Sequence, residues 1–468
     1  MYITRKLRSS QILSSLVIML SLSLFYACGE QDSGESFVYA SEPEYGTSGR
    51  TDDIDYTEAS AAGEMSFDDS FDEGSPSSNT QGQGSARSLT AGLWDDNVYP
   101  EHYQSYAETN ASRDLSDLPV QRQIIKVVNR EGAPLRGVDL VLTSGEVLTT
   151  LKSIDDGRAL FAPGLDGDDQ AEIIEISARL GDERTTVNFD RSELGGKPWV
   201  ITLDQASSMN ATKLEVALVI DATGSMSDEI SFLKAEFAEM IRQIQRTYPH
   251  LEVRLALTHY RDQGDDYVTR SSDFTSDIEA FQNDLDEVIA DGGGDFPEAM
   301  GEAMIEVMGL NWSQEANVSR LVFIAADAPP HSGRQERVDD AAIVARSLGA
   351  RIFPIASSGV DTQAEWVMRQ AAAFSLGQYI FLTDDSGFGD SHAEPHIPCY
   401  RVRLLQDQLK RVIENSVTGQ ETDMPSEDVI RSVGFDENGS CISLSESEEE
   451  PVEEQINQST EAETPEGD

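Results

Sequence analysis

Val216-Ala217-Leu218-Val219-Ile220 is an unbroken apolar run that stops on Asp221. Successive strand residues face opposite ways, so a strand apolar at every position must be covered on both faces. Parallel sheets clad by helices meet that condition. Past residue 227 the period changes, and Ile230, Leu233, Phe237, Met240, Ile241 and Ile244 recur along one helical stripe. The same rhythm continues with strands over 253–260, up to about 274, 321–326, 352–356 and 379–382. Helices are expected over 277–290, 297–308, 335–348, 362–375 and 401–416. This alternation predicts a doubly wound, mostly parallel α/β domain over 213–419, with ligands beyond the carboxyl ends of its strands.

The chain before it reads differently. Over 119–205, short runs with period two recur at 124–128, 138–142, 146–151, 158–161, 173–178, 185–189 and 199–203. Turn residues such as Glu131-Gly132-Ala133-Pro134 separate them. Seven or eight short strands at that spacing predict a β-sandwich preceding the α/β domain. The segments Asn129-Arg130-Glu131-Gly132-Ala133-Pro134 and Asp155-Asp156-Gly157-Arg158 resemble carboxypeptidase-regulatory-like and other bacterial Ig-like modules. No residue set there carries catalytic chemistry, which suits a supporting role.

Charge separates the centre from its flanks. The chain of 468 residues has a formal net charge of −51. Residues 29–118 hold 20 Asp and Glu against three Arg, and residues 420–468 hold 16 against one. Such segments cannot bury enough apolar surface to offset their ordering entropy. They read as a disordered acidic tether over 28–88, a partly ordered connector over 89–118, and a disordered acidic tail over 420–468. A chain this acidic also lacks the cationic footprint that nucleic-acid binding needs.

The first 27 residues have three parts: Arg5, Lys6 and Arg8, an apolar run over 12–25, then Ala27 before Cys28. The run is too short for a comfortable membrane-spanning helix. It resembles a bacterial lipoprotein signal, and that resemblance implies lipidation of Cys28 and anchoring at the outer membrane or cell surface. An ordinary secretory signal with an incidental Cys is the alternative; both place the protein outside the cytoplasm.

The chemistry gathers at the ends of the α/β strands. In Asp221-Ala222-Thr223-Gly224-Ser225, alternate residues can aim one carboxylate and two hydroxyls at one point. These are hard oxygen donors suited to Mg²⁺ or Mn²⁺. Gly292-Gly293-Gly294-Asp295-Phe296-Pro297-Glu298 opens a later helix, and Asp327 ends another apolar strand. Together these segments resemble, in order, the three metal-site loops of von Willebrand factor type A domains. The Gly-Gly-Gly-Asp-x-Pro-Glu form is similar to hemicentin-like and alpha-kinase-linked members; many other members have Thr where this chain has Asp295. The resemblance implies a metal-ion-dependent adhesion site lined by Asp221, Thr223, Ser225, Asp295 and Asp327, holding Mg²⁺ or Mn²⁺. It implies a protein partner that offers an Asp or Glu carboxylate, and no enzymatic activity.

Other readings stay open beside that one. Each Asp could instead cap a helix or turn. The site could serve a metal-dependent hydrolase, or be a structural A domain with no bound metal. No Ser-His-Asp or Cys-His set and no His-Glu-x-x-His motif stands out along the chain. Tyr260-Arg261-Asp262 and Asp265-Asp266-Tyr267 suit a second cation or a salt-bridged loop. His392, His396 and Cys399 suit a zinc site or a structural loop. The chain has three Cys, which excludes a disulfide-dense scaffold. With Cys28 lipidated, Cys399 and Cys441 could pair in an oxidising compartment.

Overall fold

The computed structural model describes residues 89–442, apart from 111–120, 164, 167–171, 205, 295, 387–391, 393, 423–424 and 438. The signal segment, Cys28, the tether, Asp295 and the tail beyond 442 lie outside the described residues. Strand β1 (Thr90–Trp94) and helix α1 (Pro100–Asn110) come first. Seven strands follow: β2 (Gln123–Asn129), β3 (Asp139–Ser144), β4 (Glu146–Lys152), β5 (Arg158–Phe161), β6 (Ile173–Leu180), β7 (Glu183–Asp190) and β8 (Trp199–Leu203). Strands and helices then alternate: β9 (Lys213–Asp221), α2 (Ser227–Thr247), β10 (Glu252–Tyr260), β11 (Thr269–Thr275), α3 (Ile278–Asp286), α4 (Met300–Met308) and β12 (Val318–Ala326). The series ends with α5 (Gln335–Leu348), β13 (Ala350–Ala356), α6 (Thr362–Phe374), β14 (Tyr379–Thr383), β15 (Tyr400–Leu404), α7 (Leu405–Thr418) and β16 (Arg431–Val433).

Nine of these strands form one sheet, in the order β11-β10-β9-β12-β13-β14-β1-β15-β16. Strands β10, β9, β12, β13 and β14 pair in parallel. Residues of β9 divide between two cores. Ala217 and Val219 pack with side chains of α1, α4, α5 and α6. Val216, Leu218 and Ile220 pack with those of α2, α3 and α7. Burial on both faces is why the run tolerates no polar residue before Asp221. No helix among the described residues is long and apolar enough to cross a membrane.

The structure corrects four boundaries. Residues 90–94 are no connector, because β1 sits inside the large sheet, antiparallel to both β14 and β15. The α/β domain therefore starts before the β module, which is an insertion between α1 and β9 and does not precede it. Residues 400–404 are a strand: Tyr400 and Val402 face inward and Arg401 outward, and α7 begins only at Leu405. The acidic tail starts later than 420, because β16 pairs with β15 and Cys441 is disulfide-bonded to Cys399.

The module itself has a three-stranded sheet, β5-β2-β8, and a four-stranded sheet, β4-β3-β6-β7. Both contribute to a core that includes Val127, Leu140, Ile176, Trp199 and Ile201. It is fastened to the α/β domain by buried polar contacts. Arg346 of α5 donates to both carboxylate oxygens of Asp166, at 2.7 and 2.8 Å. Arg136 donates to Ser319 Oγ at 2.8 Å and to the Val417 carbonyl at 2.9 Å. Gly137 has φ 68°, and a Cβ there would stand 2.2 Å from the Ala316 carbonyl oxygen, so the two backbones meet where only glycine fits.

Candidate metal centre

Strand register brings the expected ligands to one end of the sheet. Asp221 is level with Tyr260 at the end of β10, and Ile220 is level with Ala325 of β12. Asp327 then follows one residue past the end of β12. The amide and hydroxyl of Thr223 donate to Asp221 Oδ1, at 3.0 and 2.7 Å. The Ser225 hydroxyl lies close enough to Asp327 to favour its ionised form against burial. Four of the five residues expected from the sequence, Asp221, Thr223, Ser225 and Asp327, thus belong to one constellation; Asp295 lies outside the described residues.

The Gly-rich turn closes over this group. The Gly224 amide donates to the Gly292 carbonyl at 3.3 Å, and the Gly293 amide to Asp265 Oδ2 at 2.9 Å. Gly293 has φ 71°, and a Cβ there would lie 2.9 Å from Glu298 Oε1 and 3.2 Å from Thr223 Cβ. The turn passes between Thr223 and Glu298 with no space for a side chain. The Glu298 amide donates to the Pro329 carbonyl at 3.0 Å, which fastens the turn to the loop of Asp327.

Glu298 is the carboxylate that sequence reasoning left out of the ligand set. It is buried and its Oε2 has no hydrogen-bond partner. Its position after Pro297 in the Gly-rich segment was the available signal. Burial and then the charges of Asp221, Asp262, Asp327 and Asp265 push its carboxyl up to about 9. Asp221, fully buried, is pushed up to about 7 by burial first and the Asp327 charge second, against the hydrogen bonds from Thr223. Burial also raises Asp327. Asp221 Oδ2 and the Tyr260 hydroxyl are buried without a well-formed hydrogen bond, although the two groups are close enough to affect each other's ionisation. Among the described residues, no Lys, Arg or His forms an ion pair with Asp221, Glu298 or Asp327.

Carboxylates are being crowded out of water here without a counter-charge. A hard divalent cation would supply that charge, and the orphaned Asp221 Oδ2 and Glu298 Oε2 fit oxygen ligation. Among the described residues, no group of three or more His, Cys, Asp and Glu side chains is gathered to hold a metal by those donors alone. The hydroxyls of Thr223 and Ser225 would have to complete the set.

The remaining candidates go elsewhere. Asp262 pairs with His331, Arg261 stands 3.5 Å from Asp291, and Asp265 accepts the Asp262 and Gly293 amides. That segment is a hydrogen-bonded, salt-bridged loop. His392 Nδ1 contacts Asp384 at 2.8 Å, His396 Nδ1 contacts Glu365 at 2.8 Å, and Cys399 is disulfide-bonded. The three do not converge on one point.

Residues 215–384 match the family model of the von Willebrand factor A domain. Within the curated proteins, a 145-residue stretch is 30% identical to a putative ariadne-like RING finger protein, R811, of Acanthamoeba polyphaga mimivirus, covering 31% of this chain and 14% of that protein. A 130-residue stretch is 27% identical to the alpha-protein kinase vwkA of Dictyostelium discoideum, covering 27% and 20%. A 110-residue stretch is 36% identical to von Willebrand factor A domain-containing protein 7 of Homo sapiens, covering 23% and 11%. The chain spans at most 20% of the length of these relatives. A solved structure, the conserved hypothetical protein BatB from Bacteroides thetaiotaomicron, is 14% identical with a TM-score of 0.31, covering 43% of this chain and 98% of that one.

Proposed function

We propose that the A domain is a cation-dependent binding module displayed at the cell envelope. Asp221, Thr223, Ser225, Asp327 and Glu298, with Asp295 from the same turn, would hold Mg²⁺ or Mn²⁺. The cation would supply a Lewis-acidic position for a partner's Asp or Glu carboxylate. The observation that carries this reading is the buried, unpartnered Oδ2 of Asp221 beside the uncompensated carboxylates of Asp327 and Glu298. Lipidation at Cys28 would tether the module outside the cytoplasm, at the outer membrane or cell surface. The kinase and RING finger named among the relatives share too little of their length for their activities to be carried over.

Titration of the exported chain with Mg²⁺ or Mn²⁺ should release heat and raise Tm, because a ligand bound only to the folded state stabilises it by about 2.7 kcal/mol at a hundredfold excess over Kd. Asp221→Asn should leave the metal-free protein at least as stable, since it removes a buried charge, and should abolish the metal-induced rise. No heat and no shift with either ion, in folded wild type, would refute the reading. Chelator-sensitive capture of an envelope protein through this face would extend it to the partner.

A further inference from the structure

The Gly-rich turn beside the carboxylates is pinned from three loops. From the end of β9, the Ala222 carbonyl accepts the Asp291 amide at 3.0 Å, and the Gly224 amide donates to Gly292. From the end of β12, the Pro329 carbonyl takes the Glu298 amide. The remaining holds come from the loop between β10 and β11, which contributes none of the ligands named above. There the Arg261 guanidinium donates to the Ile289 carbonyl at 3.0 Å, and the Arg261 carbonyl accepts the Ala299 amide at 3.4 Å. Asp265 Oδ2 accepts two amides, Gly293 at 2.9 Å and Asp262 at 3.1 Å. A Cβ on Gly292 would stand 2.5 Å from that same oxygen, so the carboxylate lies directly against the turn.

Asp265 meets the centre through that turn. The Gly293 and Asp262 amides hold its carboxyl below the usual carboxylate range, so its bond to Gly293 is charge-assisted. Gly293 in turn fills the space between Thr223 and Glu298. On the cation-binding reading of the site, on which this rests, we propose that Asp265 is a positioning residue. By fixing Gly293 it keeps Thr223 and Glu298 at the separation a small cation needs, and so favours Mg²⁺ over Ca²⁺.

The physical ground is the difference in size and tolerance of the two ions. Mg²⁺ demands near-octahedral oxygens at about 2.0–2.1 Å, whereas Ca²⁺ accepts flexible arrangements at about 2.3–2.6 Å. Discrimination between them needs a cage that resists opening. A turn held by one loop could swing outward to admit the larger ion. Held from three loops, this turn would have to break several hydrogen bonds together. Asp265 touches no cation in this role; it acts one step behind the ligands, where loss of a partner commonly lowers metal affinity about 10–100-fold.

Calorimetric titration of the full chain with Mg²⁺ and with Ca²⁺ tests this. Asp265→Ala should weaken Mg²⁺ binding about 10–100-fold and Ca²⁺ binding much less, so the preference for Mg²⁺ narrows. Asp265→Asn keeps an acceptor oxygen for the Gly293 amide and should stay nearer to wild type in both fold and preference. In the metal-free chain, hydrogen exchange of the Gly293 amide should quicken on the order of tenfold in Asp265→Ala, as loss of a hydrogen bond to a charged group requires. Equal weakening of both ions, unchanged Mg²⁺ affinity, or unchanged Gly293 exchange overturns the role of Asp265 and leaves the cation site standing. Silence of folded wild type toward Mg²⁺ and Mn²⁺ removes the cation site, and this role with it.

Discussion

At the scale of the residue, the fold repeatedly sets ionisation against burial. Burial, then Arg270 and Arg261, pushes His259 from 6.5 down to about 4. Its Nδ1 lies 2.8 Å from the Tyr267 hydroxyl, while both guanidinium groups stack on the Tyr267 ring, at 4.1 and 4.8 Å. A neutral imidazole suits that position. The folded state therefore binds fewer protons than the unfolded chain between these values. The contribution of His259 to stability is full above about pH 6.5 and lost as pH falls toward about 4. Denaturant melts across that window should show a flatter slope for His259→Gln; an unchanged slope would remove His259 as the cause. Asp221, Thr223, Ser225 and Asp327 were legible because each sits at a fixed step from a strand end or turn. Glu298 was harder to see, since only the closing of the Gly-rich turn reveals its burial.

At the scale of the element, length decided what could be read. Strand β9 and helix α2 are long and strictly periodic, and their expected limits lie close to those observed. Strand β1 has five residues, among them Gly92, where a Cβ would stand 2.2 Å from the Phe381 ring. Nothing in five residues shows which sheet they join. Strand β15 runs directly into α7, so its alternation merged with the helical pattern. The join between the β module and α5 depends on Arg346 and Asp166, side chains 3% and 1% exposed. Arg346→Ala would leave Asp166 buried and unpaired and should cost about 3–5 kcal/mol in chemical denaturation. Replacing both partners together, Arg346→Met with Asp166→Leu, should cost less than the single change. If the double variant loses as much as the sum of both single changes, the pair is not coupled.

At the scale of the whole molecule, the C-terminal edge is secured by covalent means. Strand β16 has three residues and could hardly hold its place alone, but Cys399 and Cys441, 42 residues apart, bracket it. In the loop-closure account a cross-link of that span contributes about 4 kcal/mol. Cys441→Ser should therefore lower the denaturation midpoint and increase proteolytic cutting near 420–430, while β9 to β14 remain protected. Equal midpoints for mutant and wild type would show that the edge needs no clasp.

The place of β1 has a mechanical result. Thr90 pairs with Thr383 at the same end of the sheet as the carboxylates, and β1 is hydrogen-bonded on both sides, to β14 and to β15. Traction arriving through the backbone ahead of Thr90 would not peel away an outer ribbon one bond at a time. It would have to slide an interior ribbon lengthwise past two neighbours at once, breaking several bonds together, so the domain is gripped where it yields least.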